Sequence, residues 1–197
     1  MRSTEQNKKE RILETAQELF YRNGYDSTSV RELAKEAGLS VAGVYYFFSD
    51  KENILFTLLN RTVEQLNDSL KTGEPDGPDS GRTARVIIRN LLVHSIRNGK
   101  KLNVLDREVM RLTPEHAAKI RETRGFGRQI MIEALSAYCE QHAVADPDIY
   151  YAAFTAFSQT AWFTRWYAVT EDGLDVFVNR IFTMAVRALT VNAGRTE

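Results

Sequence analysis

The residues best suited to chemistry lie between Thr28 and Leu55, in the stretch TSVRELAKEAGLSVAGVYYFFSDKENIL. Tyr45 and Tyr46 carry phenol hydroxyls, and Lys51, beyond them, carries an ammonium. Such donors suit phosphate oxygens, which position a protein on a duplex without reading its sequence. Ahead of them stand Val41, Ala42 and Gly43, all small. A helix led by small side chains is narrow enough at its leading end for the backbone to approach base edges in a major groove. The chemistry on offer is recognition of DNA.

The surrounding residues supply the elements that would hold these groups. Ser29 followed three residues later by Glu32 is a capping box, so a helix is predicted from about Val30. Val30, Leu33, Ala34 and Ala37 recur at three- and four-residue spacing and make one buried face, leaving Arg31, Glu32, Lys35 and Glu36 in water. Gly38 suits the left-handed position just past the helix end. Ser40 then caps a second short helix, SVAGVYYFF, in which Val44 and Phe48 form an inward face that Phe47 can join. Two short capped helices around a tight glycine turn are the sequence form of a helix-turn-helix.

The combination Thr28-Ser29-Val30-Arg31, Ala34, Ala37-Gly38, Ser40, Val44-Tyr45-Tyr46, Phe48, Lys51 and Leu55 resembles the DNA-binding signature of the TetR (tetracycline repressor) family of bacterial transcription regulators. By that resemblance Arg31, Val41, Ala42 and Gly43 fall at base-facing positions, and Ser29, Ser40, Tyr45, Tyr46 and Lys51 at phosphate-facing ones. Many members carry His where this chain has Phe47, so Phe47 is not counted as a contact. The resemblance implies a ligand-responsive regulator, a repressor in the family's usual mode, that binds an inverted-repeat operator in double-stranded DNA as a homodimer.

Bulk composition narrows the alternatives. A length of 197 residues suits one or two domains, and 43% apolar residues suffices for a sizeable core. The 26 basic and 26 acidic residues cancel, which excludes the wholesale basicity of an architectural nucleic-acid binder. Attraction to DNA must therefore be local, and the N-terminal arm supplies some of it through Arg2, Lys8, Lys9 and Arg11 against Glu5 and Glu10. The single cysteine, Cys139, excludes an internal disulfide, while His94, His116 and His142 fit no zinc template, so neither metal nor cofactor is expected. No apolar segment follows the charged N-terminus as in a signal peptide, and Ser158, Gln159 and Arg165 interrupt the most apolar stretch. A soluble, cytoplasmic protein with no membrane partner is expected.

Read in order, the chain predicts an all-α fold of about nine helices, with residues 1–50 as the DNA-binding domain and residues 51–197 as a ligand-binding and dimerisation bundle. Helix one, from Glu5 to Asn23, carries Ile12, Leu13, Ala16, Leu19 and Phe20 at helical spacing and stops at Asn23-Gly24. Ser49 is the expected cap of a long helix from about Asp50 to Lys71, followed by a loop in TGEPDGPDSG. Further helices are predicted over Arg82–Asn98, ending at Gly99, and Leu102–Leu112. Another runs from Thr113-Pro114 to about His142, with a kink or break at Gly125 and Gly127. Asp146-Pro147 opens a helix through about Val169, and Leu174–Asn192 forms the last.

The final two helices are apolar around most of their circumference, which demands burial on every side. Phe154, Phe157, Ala161, Phe177, Ile181 and Phe182 are therefore candidates for a dimer interface, the alternative being that the two helices are only the monomer's own core; the resemblance favours the interface, because TetR-family proteins commonly dimerise through their last two helices. Arg165, set among Trp162, Phe163, Trp166 and Tyr167, suits an internal ion pair with Glu108 or Asp106, plain exposure at the end of the bundle, or the polar portion of an effector walled by Leu92, Val104, Met110, Trp162 and Trp166. TAWFTRWY and LDREVMRL are similar to a subset of TetR-like regulators that respond to acyl-CoA thioesters, which implies a small apolar or acyl-CoA-like effector. An enzyme is not expected: Asp106 and Glu108, two apart on a helix, do not face one substrate, and no phosphate loop or nucleophile elbow occurs. The competing reading is a helix-turn-helix protein that binds DNA without a small molecule and recruits a protein partner.

Overall fold

A computed structural model describes residues 2–71, 80–166 and 173–190, with the side chains of residues 2–4 and Trp166 outside that description. Among the described residues nine α-helices follow one another: α1 (Arg2–Asn23), α2 (Val30–Glu36), α3 (Val41–Tyr45), α4 (Lys51–Leu70), α5 (Ser80–Arg97), α6 (Gly99–Glu108), α7 (Pro114–Gln141), α8 (Ile149–Trp166) and α9 (Leu174–Ala188). A 3-10 turn, Val109–Arg111, follows α6, and no strand occurs among the described residues. The fold is all-α. The expected loop over residues 72–79 and the expected helical residues 167–169 and 191–192 lie outside the described residues.

Most helix ends follow from local chemistry. Gly24 (φ +85°) and Gly38 (φ +62°) take the left-handed conformation just beyond α1 and α2 that a side chain would strain. At α4 the cap is Asp50 instead of Ser49, because its carboxylate accepts the Asn53 N–H at 2.7 Å. Likewise Asp148, not Asp146, caps α8, accepting the Tyr151 N–H at 2.9 Å. Thr113 Oγ1 accepts from the His116 N–H at 3.3 Å and opens α7 as expected. Gly99 begins α6 instead of following the preceding helix.

The expected break at Gly125 and Gly127 is absent: α7 runs unbroken through both. Gly127 has a packing reason instead. It is buried, and a Cβ built there would stand 2.5 Å from Asn67 Oδ1 and 3.2 Å from Leu70 Cδ1, so the bare backbone lets α7 approach α4 closely.

Two compact units emerge, residues 1–64 with 100–123 and residues 65–99 with 124–197. In the first, Ile12, Leu19 and Phe20 of α1 meet Leu33 of α2, Val44 of α3, Ile54 and Leu59 of α4, Leu105 of α6 and Ile120 of α7 in one core. In the second, α5, α8 and α9 pack on one another around Ile88, Leu92, Met131, Leu135, Ala153 and Ile181.

Candidate nucleic-acid interface

The helix-turn-helix forms as its residues dictate. Ser29 Oγ accepts the Glu32 N–H at 3.1 Å while Glu32 Oε2 receives the Ser29 N–H at 3.5 Å, a complete capping box. Ser40 Oγ accepts the Gly43 N–H at 3.0 Å and starts α3. The second helix is shorter than its sequence suggests, ending at Tyr45, but its faces are as expected: Val44 and Phe48 are buried, Phe47 is half-buried, and Val41, Ala42, Tyr45 and Tyr46 are exposed. A Cβ at Gly43 would lie 3.2 Å from Ser40 Oγ, so the leading end of α3 is narrow at a point where a larger residue would press on the cap.

Arg31 extends from the exposed side of α2 into solvent, while three other arginines of this unit are already engaged. Arg22 pairs with Glu36 at 3.2 Å and Arg61 with Glu10 at 2.5 Å, and Arg11 donates to the Gly38 carbonyl at 3.4 Å. Tyr46, 71% exposed, donates its hydroxyl to Glu5 at 3.3 Å.

Lys51 is placed differently from the expectation. Its ammonium donates to the carbonyls of Tyr25 and Thr28, both at 2.9 Å, and lies 4.1 Å from the centre of the Tyr25 ring. On the other side of Tyr25, Glu108 of α6 is a buried carboxylate, 4% exposed. It accepts the Tyr25 N–H at 3.3 Å and Arg107 Nε at 2.7 Å, and Arg107 also donates to the carbonyls of Phe20 and Tyr21. Burial raises the Tyr25 phenol above its usual pKa, and the charges of Glu52, Asp50 and Asp26 push it the same way. Sequence reasoning missed this knot, because the turn and the side chains that reach it lie 23 to 87 residues apart. The one available signal was an acid, Glu108, on the side of α6 that Val104 and Leu105 bury.

The profile of the bacterial regulatory proteins of the tetR family matches residues 12–58, the whole of this helix-turn-helix with the start of α4. That of the tetracyclin repressor-like C-terminal domain matches residues 84–173. The chain belongs to the TetR family. Its relatives agree. The HTH-type transcriptional regulator YuxN of Bacillus subtilis (strain 168) is 38% identical over 92 residues, covering 44% of this chain and 31% of YuxN. The chain spans under a third of the length of the curated relatives it matches.

Among solved structures, a tetR-family regulatory protein from Rhodococcus RHA1 superposes with a TM-score of 0.80 at 22% identity, over 92% of this chain and 96% of that one. AibR, solved in complex with isovaleryl coenzyme A and operator DNA, superposes with a TM-score of 0.73 at 23% identity, over 90% and 97%. These likenesses show a shared TetR fold. The family and the curated relatives are DNA-binding transcriptional regulators, not enzymes.

For the expected effector-site residues the structure gives a different distribution. Leu92 is fully buried in the core of the second unit and Val104 in that of the first. Met110, in the 3-10 turn, is 86% exposed and lines no interior wall. Trp162 and Arg165 face outward from α8, and the Trp166 side chain lies outside the described residues. The reason is steric: the inward side of α8 is filled by Ala152, Ala153, Ala156 and Thr160, which leaves its bulky aromatics outside. Glu108 is held by Arg107 and Tyr25 in the first unit, where the sequence had offered it to Arg165.

The expected interface divides in the same way. Phe154 and Ala161 are exposed and Phe157 is half-buried. Phe177 meets Phe163 edge to face at 5.3 Å. Ile181 and Phe182, by contrast, are buried in the protomer's own core, where the Phe182 ring meets Tyr138 at 5.6 Å and carries the Arg85 guanidinium 3.8 Å from its centre. Both belong to the core of this chain, where the sequence had offered them to a partner.

Proposed function

We propose that this TetR-family regulator acts as a repressor, binding an inverted-repeat operator as a homodimer and leaving it when a small apolar or acyl-CoA-like effector binds. The observation that carries the reading is the exposed face of Arg31 on α2 with Val41, Ala42, Tyr45 and Tyr46 on α3, standing on a core that closes behind them. Small residues lead the reading helix, hydroxyls flank it, and one uncommitted guanidinium stands beside it, the combination that base and phosphate contact requires. Residues 1–50 serve as the DNA-binding domain and residues 51–197 as the sensor and dimerisation domain. The site of action is the cytoplasm, where the DNA is, and no helix among the described residues is long and apolar enough to cross a membrane.

Dimerisation is supported by α8, whose small residues point inward while Tyr150, Tyr151, Phe154 and Trp162 face solvent. An exposed aromatic stripe of that extent suits a second copy. The effector class is supported by the resemblance of TAWFTRWY and LDREVMRL to acyl-CoA-responsive members, and by the isovaleryl coenzyme A bound to AibR. To release DNA, the effector must favour the DNA-incompetent arrangement, since equal affinity for both states shifts nothing. A helix of 20 residues, α4, spans about 30 Å and is the lever between reading head and sensor.

Selection of duplexes from a random pool by the full-length protein tests the reading. The enriched sites are expected to be inverted repeats with half-sites one helical turn or a multiple apart, bound with an affinity that falls steeply with salt. Equal affinity for the best selected duplex and for random duplex would sink it. Native mass spectrometry of the purified protein, followed by titration of acyl-CoA thioesters into the complex, tests the effector. No release by any chain length would discard the acyl-CoA class.

A further inference from the structure

We infer that Lys51 serves DNA binding from inside the protein, as the residue that positions the turn ahead of α2, and touches no phosphate. The inference rests on the DNA-binding reading above. An ammonium has three N–H donors. In Lys51 two are directed at the carbonyls of Tyr25 and Thr28, at 2.9 Å each, and the remaining side of the cation faces the Tyr25 ring at 4.1 Å. Two carbonyl dipoles and an aromatic face together replace the hydration that a half-buried cation gives up. A phosphate oxygen would have to break one of these contacts to gain its own.

The turn so held is tightly specified. Gly24 enters it with φ +85°, Thr28 Oγ1 donates to the Gly24 carbonyl at 2.8 Å, and the Thr28 N–H reaches the Tyr25 carbonyl at 3.2 Å. Thr28 is fully buried. The N–H of Tyr25 is held by the Glu108 carboxylate, so both peptide groups flanking this residue are fixed, one from α4 and one from α6. The Thr28 carbonyl belongs to the peptide bond that enters Ser29, the N-cap whose hydroxyl sets the first turn of α2. Arg31 stands two residues further on. Holding that carbonyl therefore fixes where Arg31 emerges, although Lys51 itself stays behind the reading face.

The test uses Lys51→Met and Lys51→Arg in the full-length protein, each checked for a native circular-dichroism spectrum at the working temperature. Affinity for a duplex selected by the wild-type protein is measured against salt concentration, together with hydrogen exchange of the free protein. For Lys51→Met the inference expects a loss of roughly ten-fold or more in affinity, because two charge-assisted bonds to the turn are gone. The slope of log K against log salt should be unchanged, whereas a lost phosphate contact removes about 0.9 from it per contact. Amides of residues 24–31 should exchange faster while those of α4 beyond its first turn do not. A global loss of stability would raise exchange everywhere and would leave the affinity of the folded protein alone.

Lys51→Arg guards against a Met variant that fails to fold. A phosphate contact survives that change, whereas a planar guanidinium does not match a site with two carbonyls and a ring face arranged around a point charge, so affinity should fall with the slope kept. A reduced slope in Lys51→Met, or unchanged affinity in either variant, overturns the inference. Should the wild-type protein show no preference for any duplex, the DNA-binding reading fails, and the exchange data still decide whether Lys51 holds the turn.

Discussion

Ser29 and Ser40 each accept a backbone N–H through Oγ, and a hydroxyl engaged in that way keeps its own hydrogen free to donate. Capping and phosphate contact are thus compatible at one atom, so under the proposed DNA-binding reading the two short helices and their phosphate contacts would depend on the same side chains. Arg31 and Tyr45 have no such second duty and give the cleaner experiment. Arg31→Ala is expected to cost about 1–3 kcal/mol on the selected duplex and to relax preference at one base pair per half-site, since a bidentate base contact carries discrimination of that size. Tyr45→Phe removes only a hydroxyl and should weaken selected and random duplexes alike, by about 1 kcal/mol. Fluorescence anisotropy on the two duplexes separates the cases: a uniform loss for Arg31→Ala would move that residue from base to phosphate. At this scale the exposed face of α2 and α3 was legible because its residues are neighbours in sequence. The engagement of Lys51 was not, since a lysine that binds phosphate and one that binds carbonyls look identical until the turn from Gly24 to Thr28 is folded against it.

Helix boundaries were legible wherever a cap is local, as at Ser29, Ser40, Gly38 and Thr113. They slipped where a second acceptor side chain lies one or two residues beyond the expected cap, Asp50 after Ser49 and Asp148 after Asp146, because the choice depends on which side chain meets the third N–H of the helix. Glycines within α7 were misread for a different reason: intrinsic propensity counts against them, whereas packing decides at one of the two. That difference is measurable. At Gly125 the nearest atom to an added Cβ is Arg128 Nη2 at 3.8 Å, the end of a mobile side chain, so Gly125→Ala should stabilise by up to about 1 kcal/mol through helix propensity. At Gly127 the same methyl meets Asn67, a buried and already bonded side chain, and Leu70, so Gly127→Ala should destabilise by about 1–3 kcal/mol through overpacking. Thermal denaturation of the two variants side by side gives opposite signs, and a stabilised Gly127→Ala would show that α4 and α7 do not need their close approach.

For the whole molecule, the apolar character of the last two helices was legible, but its division between core and outer face was not. Helical periodicity marks a helix as apolar all round without saying which side its own chain covers. In α8 the division follows size: Ala152, Ala153 and Ala156 fit the narrow space against α5 and α9, and the aromatics remain outside. Two arginine substitutions follow from this division and should behave oppositely. Phe182 is packed against Tyr138 and Arg85, so Phe182→Arg buries an unpaired cation beside another and should unfold the second unit, visible as lost helicity. Phe154 is 62% exposed, so within one protomer Phe154→Arg changes little, by about 0.5 kcal/mol or less, as surface substitutions do. In a dimer closed over the α8 face the same cation is trapped in the interface at a cost of several kcal/mol, twice over by symmetry. Sedimentation should therefore find Phe154→Arg as a helical monomer at concentrations where the wild-type protein is dimeric. Its operator affinity should collapse towards that of a single half-site, since the second reading head is no longer delivered with the first. A Phe154→Arg protein that remains dimeric with full operator affinity would place the interface on another face and leave the aromatic stripe of α8 to a different partner.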